Sequence, residues 1–191
     1  PVLWDKKVTD AGVAQAVVVN TGIANACTGQ AGYENAAETA KLAGEALNIS
    51  SDTVLVASTG VIGFTLPMDV IADGVKKLSG MLKSDVQSAQ DAAEAILTTD
   101  THPKQIAYET TIGGKTVTFG AMCKGSGMIH PNMGTMLGFI MTDAAISKNL
   151  LDKALKGSIE DTFNMVSVDG DTSTNDTVSV SYTHLRAHET K

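Results

Sequence analysis

Between Gly32 and Leu47 the residues Ala36, Ala40, Ala43, Gly44 and Leu47 recur at helical spacing, and nearly all of them are small. A stripe of that kind gives a helix a narrow face that can approach a sheet closely. Strand signals lie on both sides of it. Ala14 to Val19 is a short apolar run suited to a buried strand, ending in the turn signal Asn20-Thr21-Gly22. Thr53 to Ala57 reads as the next strand and runs into Ser58-Thr59-Gly60.

The rest of the chain continues the mixture. Pro67 is placed to open a helix whose buried stripe is Met68, Ile71, Val75, Leu78 and Leu82. A further helix around Ala89 to Leu97 carries Ala92, Ala93, Ile96 and Leu97, then breaks at Thr98-Thr99-Asp100-Thr101-His102-Pro103. Ile106 to Ile112 and Thr116 to Ala121 alternate on either side of Gly113-Gly114, the pattern of a β-hairpin with a glycine turn. Met136 to Thr142 reads as a buried strand, and Ser147 can cap a helix bearing Leu150, Leu151, Ala154, Leu155, Ile159 and Phe163. Val166 to Val168 then leads into Asp169-Gly170-Asp171. Helices and strands intermix without repeats, so the expected fold is α/β with mixed α+β layers, sheets packed with helices.

With 191 residues and 43% hydrophobic content the chain can bury a sizeable core. Fourteen basic against 21 acidic side chains give a net charge of -7, which disfavours nucleic acid and anionic membrane as partners. No apolar run reaches the ~18 residues of a membrane span. Cys27 and Cys123 lack a neighbouring cysteine or histidine at ligand spacing, so both are expected to be small core residues, with neither a disulfide nor a metal. The chain starts at Pro1 beside Trp4 and a charged cluster, as though entering a domain partway. Residues 181–191 show no apolar periodicity continuous with what precedes them and look like adaptor-derived sequence, so they are set aside as a non-native tail.

The chemistry concentrates where a glycine-dense loop meets an apolar strand, in Lys124-Gly125-Ser126-Gly127-Met128-Ile129-His130-Pro131-Asn132-Met133-Gly134-Thr135-Met136-Leu137. A threonine hydroxyl is a poor nucleophile until a base takes its proton. The nearest base for Thr135 is its own α-amine, freed if the Gly134-Thr135 bond breaks. Gly134 offers an unhindered carbonyl, and dry surroundings favour the neutral, proton-accepting amine. Taken alone, a threonine at such a place is ordinarily a strand-opening residue, and it is the surrounding loop that points to chemistry. Thr59 and Gly60, at the end of a strand, can aim a hydroxyl and a backbone N–H at a developing oxyanion, although strand-Ser-Thr-Gly turns are common. Lys124 can bind a carboxylate or set the charge state near the nucleophile, where the plain alternative is a solvated surface lysine. Thr98, Thr99 and Thr101 can offer hydroxyls to a polar ligand or simply end a helix. His102 and His130, each before a proline, read as loop residues.

Two motifs fall short. Gly113-Gly114-Lys115-Thr116 resembles a phosphate loop, but Glu109 stands where its first glycine belongs and a hairpin surrounds it. Residues 169–180 resemble a calcium loop, but Thr174 replaces the required glycine and Val180 the final glutamate.

The glycine loop with Thr135, together with Ser58-Thr59-Gly60, Thr98-Thr99-Asp100-Thr101 and Asp169-Gly170-Asp171-Thr172-Ser173-Thr174-Asn175-Asp176, resembles the ornithine acetyltransferases, or glutamate N-acetyltransferases, of arginine biosynthesis. The resemblance covers roughly residues 2 to 180 in the family's motif order, and Asn20 to Gly29 also looks like a family segment without assignable chemistry. It implies a cytoplasmic precursor that cuts itself between Gly134 and Thr135 into α and β chains forming a heterotetramer. Residues 1–134 would then belong to the α chain and 135–180 to the start of the β chain. It also implies Thr135 as nucleophile, Thr59 and Gly60 at the oxyanion, and Thr98, Lys124 and Thr135 in contact with substrate. The acetyl group would pass from N2-acetylornithine to glutamate without a cofactor, and some members of the family also accept acetyl-CoA as donor. Gly134 departs from the family's more usual alanine. The family's further amino-terminal segment and the rest of its β chain, with a substrate-binding glutamate, have no counterpart here, so this piece alone is expected to be inactive. Two rival readings are a threonine-nucleophile amidohydrolase, with water as acceptor, and a non-catalytic metabolite-binding domain with Gly134-Thr135 intact.

Overall fold

The small-residue stripe does what its spacing predicts. In the computed structural model, which describes residues 1–130 and 136–182, helix α2 (Gly29–Leu47) buries Ala36, Ala40, Ala43 and Gly44. It lies against strands β1 (Ala16–Ile23) and β2 (Val54–Val61), which pair in parallel from Ala16 opposite Val54 to Ile23 opposite Val61. Val54, Leu55 and Val56 meet the alanines of α2 in a core shared with Trp4 and Val8 of helix α1 (Val2–Ala11). Helix α1 also supplies hydrogen bonds that a further strand would otherwise give to β2. The Trp4 indole donates to Val54 O at 2.9 Å, and the Asp5 carboxylate accepts from Val56 N at 2.9 Å.

Helices α3 (Met68–Ser79) and α4 (Val86–Ala95) lead to a second sheet of β3 (Lys104–Ile112), β4 (Lys115–Lys124), β5 (Leu137–Thr142) and β6 (Thr177–Tyr182), in that order. The first three strands run antiparallel, and β6 is parallel to β5 after helix α5 (Lys148–Glu160). The β3–β4 hairpin turns through Gly113 and Gly114, with φ of 58° and 78°, a pair of left-handed residues that glycine adopts readily. Ala57 of β2, Ile96 after α4, and Leu137 and Phe139 of β5 form a second buried cluster with Val19 and Met122 against it. That cluster brings the end of β2 to the start of β5. The chain is therefore α/β with mixed layers, as the sequence indicates.

Several boundaries and burial expectations change. Strands β1 and β2 run straight through Asn20-Thr21-Gly22 and Ser58-Thr59-Gly60, because the two turn-like tripeptides pair residue for residue with each other. The α3 stripe is only half-buried at Met68, Ile71 and Val75, and Leu78 and Leu82 are exposed. The physical reason is that α3 packs against α2 on one side, while Leu82 lies beyond the helix end at Ser79. Cys27 is exposed rather than a core residue, since its backbone is left-handed (φ 59°) in the turn before α2, and Cys123 is half-buried. Asp85 caps α4, accepting from Ser88 N at 2.7 Å, and Ser147 caps α5 as expected. Strand β6 was obscured by the Asp- and Asn-rich loop before it. It runs through Ser181 and Tyr182, opposite Met141 and Thr142, into the segment set aside as a tail.

Candidate active site

Lys124 is the last residue of β4 and is only 2% exposed. Its ammonium donates to Thr98 Oγ1 at 2.8 Å and to Thr59 Oγ1 at 3.1 Å. An ammonium carries donors and no acceptor, so both hydroxyls accept from it and keep their own protons for another partner. Thr59, itself 2% exposed, is thereby set as a donor at the end of β2. Burial pulls the Lys124 ammonium below the ordinary lysine range, Asp100 pulls it back, Lys104 lowers it further and Asp176 raises it.

Gly60 follows Thr59 with φ +132°. A Cβ there would stand 2.2 Å from the carbonyl carbon of Gly22, across the β1–β2 pairing, so only glycine fits this strand end. The approach of the two glycines fixes where the Thr59-Gly60 peptide lies.

Ser58 anchors the same strand end from below. Its Oγ accepts from Asn25 N at 2.8 Å and donates to Ile23 O at 3.1 Å. The Asn25 amide in turn donates to Gly32 O at 2.7 Å and accepts from Thr28 Oγ1 at 2.8 Å. The Asn20–Gly29 segment, without chemistry of its own in the sequence, is thus the polar scaffold under the Thr59-Gly60 corner. Asn175 reaches the same place, its side-chain amide donating to Ser58 O.

Asp100 holds the next residue after Lys124. Its Oδ1 accepts from Gly125 N at 2.8 Å and from Lys104 Nζ at 2.6 Å, and Lys104 also donates to Gly125 O at 3.2 Å. Burial pushes the Asp100 carboxyl up, but the Lys104 and Gly125 hydrogen bonds together with both lysine charges hold it below the usual range. Its other oxygen is buried and lacks a hydrogen-bond partner among the described residues. At the start of β5, Met136 N donates to Asp176 Oδ1 at 2.7 Å. Burial raises the Asp176 carboxyl above its ordinary value, against the lowering effect of its hydrogen bonds and of Lys124.

Of the residues singled out in the sequence, Thr59, Gly60, Thr98 and Lys124 come together here. Gly134 and Thr135 lie outside the described residues, and Met136, bonded to Thr135 in the chain, is buried at the edge of this cluster. Lys124 is not the solvated lysine of the plain reading. Thr99 instead pairs with Ser126 Oγ at 2.6 Å, Thr101 with its neighbour His102, and His130 with Ser167, all at exposed positions. The sequence reading missed Ser58, Asn25, Asp100, Asn175 and Asp176 as individual contributors. Each lies in a motif quoted for the resemblance or in the Asn20–Gly29 segment, and only the tertiary contacts separate it from its neighbours. Gly113-Gly114 form the β3–β4 hairpin turn and Lys115-Thr116 open β4, so a strand and not a helix follows the two glycines.

A hydroxyl donor, an adjacent backbone corner and a buried cation beside the start of a strand are groups that can stabilise negative charge on an oxygen. The model of the ArgJ family matches residues 1–191, and the chain belongs to that family. It is 56% identical over 180 residues to the arginine biosynthesis bifunctional protein ArgJ of Symbiobacterium thermophilum, covering 94% of this chain and 44% of that protein. To ArgJ of Lactococcus lactis it is 53% identical over 178 residues, again covering 44% of the relative. The chain therefore spans less than half the length of these curated relatives. Among solved structures, ArgJ of Bacillus halodurans superposes with a TM-score of 0.62 at 46% identity, over 68% of this chain and 67% of that one. An ornithine acetyltransferase from Mycobacterium tuberculosis, complexed with ornithine, gives 0.62 at 37% identity, over 69% of each chain.

Proposed function

We propose that the protein to which this chain belongs transfers an acetyl group from N2-acetylornithine to glutamate in arginine biosynthesis, through an acetyl ester on Thr135. The observation that carries the reading is the double donation from buried Lys124 to Thr59 and Thr98, next to the Gly60 corner. Family membership and the ornithine bound by the Mycobacterium tuberculosis relative support the substrate class.

Cleavage between Gly134 and Thr135 frees an α-amine on Thr135 and separates an α chain ending at 134 from a β chain starting at 135. That amine takes the Thr135 hydroxyl proton as the oxygen attacks the acetyl carbonyl. The carbonyl oxygen gains negative charge and accepts from Thr59 Oγ and Gly60 N–H. When the tetrahedral species collapses, the C–N bond breaks and ornithine leaves with the proton returned by the amine. The glutamate amine then attacks the ester carbonyl and gives a proton to the Thr135 α-amine, the bond between the acetyl carbon and Thr135 Oγ breaks, and N-acetylglutamate departs as that proton passes to the Thr135 oxygen. No step calls for a cofactor, and acetyl-CoA is an alternative donor for the same ester. Thr98 and Lys124 hold the substrate at its polar end. The full protein works in the cytoplasm as a heterotetramer of α and β chains, and the present piece, at 44% of the relatives' length, is inactive by itself.

The test is ping-pong kinetics and trapping in a version extended to the relatives' full length. N-acetylornithine alone should acetylate the protein, and added glutamate should release N-acetylglutamate. Release of free acetate under those conditions would make the protein a hydrolase instead, and an uncut, unlabelled chain would make it a binding module.

A further inference from the structure

Strand β3 begins at Lys104, opposite Cys123, so Lys124 and Gly125 run past its edge. Pro103 stands just before Lys104 and has no N–H with which to carry the ladder on. Two side chains carry it instead. Gly125 N donates to Asp100 Oδ1 at 2.8 Å, and Gly125 O accepts from Lys104 Nζ at 3.2 Å. Lys104 Nζ also donates to the same Asp100 oxygen at 2.6 Å, which closes a ring of three contacts around the Gly125 backbone. The Asp100 side chain has no exposed surface, and its carboxylate makes its hydrogen bonds among the described residues inside this ring.

The ring adjoins the residue on which the site depends. None of the ion pairs among the described residues includes Lys124, and its ammonium bonds two neutral hydroxyls, Thr59 and Thr98. A flexible four-carbon stem without a counter-ion at its tip keeps one geometry only if its base is held. The base is held on the side that β3 no longer covers by Asp100, two residues beyond Thr98 in the chain. Thr99 adds a contact to Ser126 at 2.6 Å, so the segments 98–100 and 124–126 are laced together three times. Desolvation offsets much of the attraction in a buried ion pair, which leaves geometry rather than stability as its main effect.

We infer that Asp100, with Lys104, is a positioning residue that locks the Gly125 backbone and thereby holds the Lys124 ammonium between Thr59 and Thr98. Its effect on rate rests on the acetyl-transfer reading above, and the lock itself does not. Asp100 also favours the charged form of Lys124 through space. Asp100→Asn removes that influence and keeps the acceptor for Gly125 N, whereas Asp100→Ala removes both.

Hydrogen exchange on the 191-residue chain reads the lock. Asp100→Ala should speed exchange of the Gly125 amide, and of the Lys124 ammonium followed by nitrogen-15 NMR, by about tenfold or more, with the α2–β2 core amides unchanged as a check on folding. Asp100→Asn should leave both near the parental rate. Lys104→Met, at a part-exposed side chain, should move both in the same direction by about threefold or more, and it supplies the answer if Asp100→Ala does not fold.

Acetyl transfer by the full-length version reads the consequence. It should fall about tenfold or more in Asp100→Ala and stay within about threefold of the parent in Asp100→Asn. In a Lys124→Met background, Asp100→Ala should change it by less than about twofold, because a residue that acts through Lys124 then has nothing to act on. Unchanged exchange at Gly125 or at the Lys124 ammonium would overturn the inference. So would an Asp100→Asn variant as slow as Asp100→Ala, or an undiminished loss in the Lys124→Met background. A full-length parent that transfers no acetyl, with both exchange rates responding as expected, would sink the acetyl-transfer reading and leave the lock standing.

Discussion

Lys124 Nζ donates to Thr59 Oγ1 at 3.1 Å across the gap between the two sheets, and this contact fixes the direction in which the Thr59 hydroxyl can give its own proton. Without the ammonium, the hydroxyl could turn and offer a lone pair to the site. Lys124→Met should therefore lower acetyl transfer by about 10²–10³-fold, the scale of losing an oxyanion donor. Lys124→Arg should not restore it, because a planar guanidinium cannot replace a point donor shared by two hydroxyls. Steady-state transfer rates, with far-ultraviolet circular dichroism to confirm the fold, decide the matter.

Gly60 and Gly63 offer a controlled pair. Both have positive φ, 132° and 84°, but a Cβ on Gly60 would stand 2.2 Å from Gly22 whereas on Gly63 it would meet nothing within 4 Å. Gly63→Ala should cost about 1–2 kcal/mol, the backbone strain alone. Gly60→Ala adds a backbone collision and should cost about 3 kcal/mol or more, or prevent folding. Denaturant melts of the two variants should differ in that order.

The Asp5 carboxyl is raised to about 6, first by burial and against the lowering effect of its hydrogen bond from Val56 N. A folded-state value above the unfolded one means that the native chain binds the extra proton between about pH 4 and pH 6. Its contribution is present below pH 4 and is lost as pH rises through 6. Asp5→Asn, neutral at every pH and still able to accept from Val56 N, should gain about 1 kcal/mol at pH 7 relative to the parent, after allowance for solvent screening. The gain should vanish near pH 4 in thermal melts run across that range.

The local rules of the sequence carried the β1–α2–β2 unit, the Gly113-Gly114 hairpin and the Ser147 cap, because each rests on spacing or on one residue's backbone preference. They failed where a tertiary partner decides. Asn20-Thr21-Gly22 has turn chemistry and is strand, since Ser58-Thr59-Gly60 pairs with it. The α3 stripe has core spacing and is half-exposed, since one neighbour covers one side only. At the site, Thr59, Gly60, Thr98 and Lys124 stood out by residue type and motif. Asp100, Asn175 and Asp176 did not, because a carboxylate or amide bonding a distant backbone group has no local sequence signature.

The most direct test is intact-mass analysis of the full-length protein after incubation with N-acetylornithine, in the parent and in Thr135→Val. The account requires two fragments from the parent, divided before Thr135, with one acetyl group on the fragment that begins at Thr135, and a single unlabelled chain from the variant. A Thr135→Val protein that still divides there and still carries acetyl would contradict it.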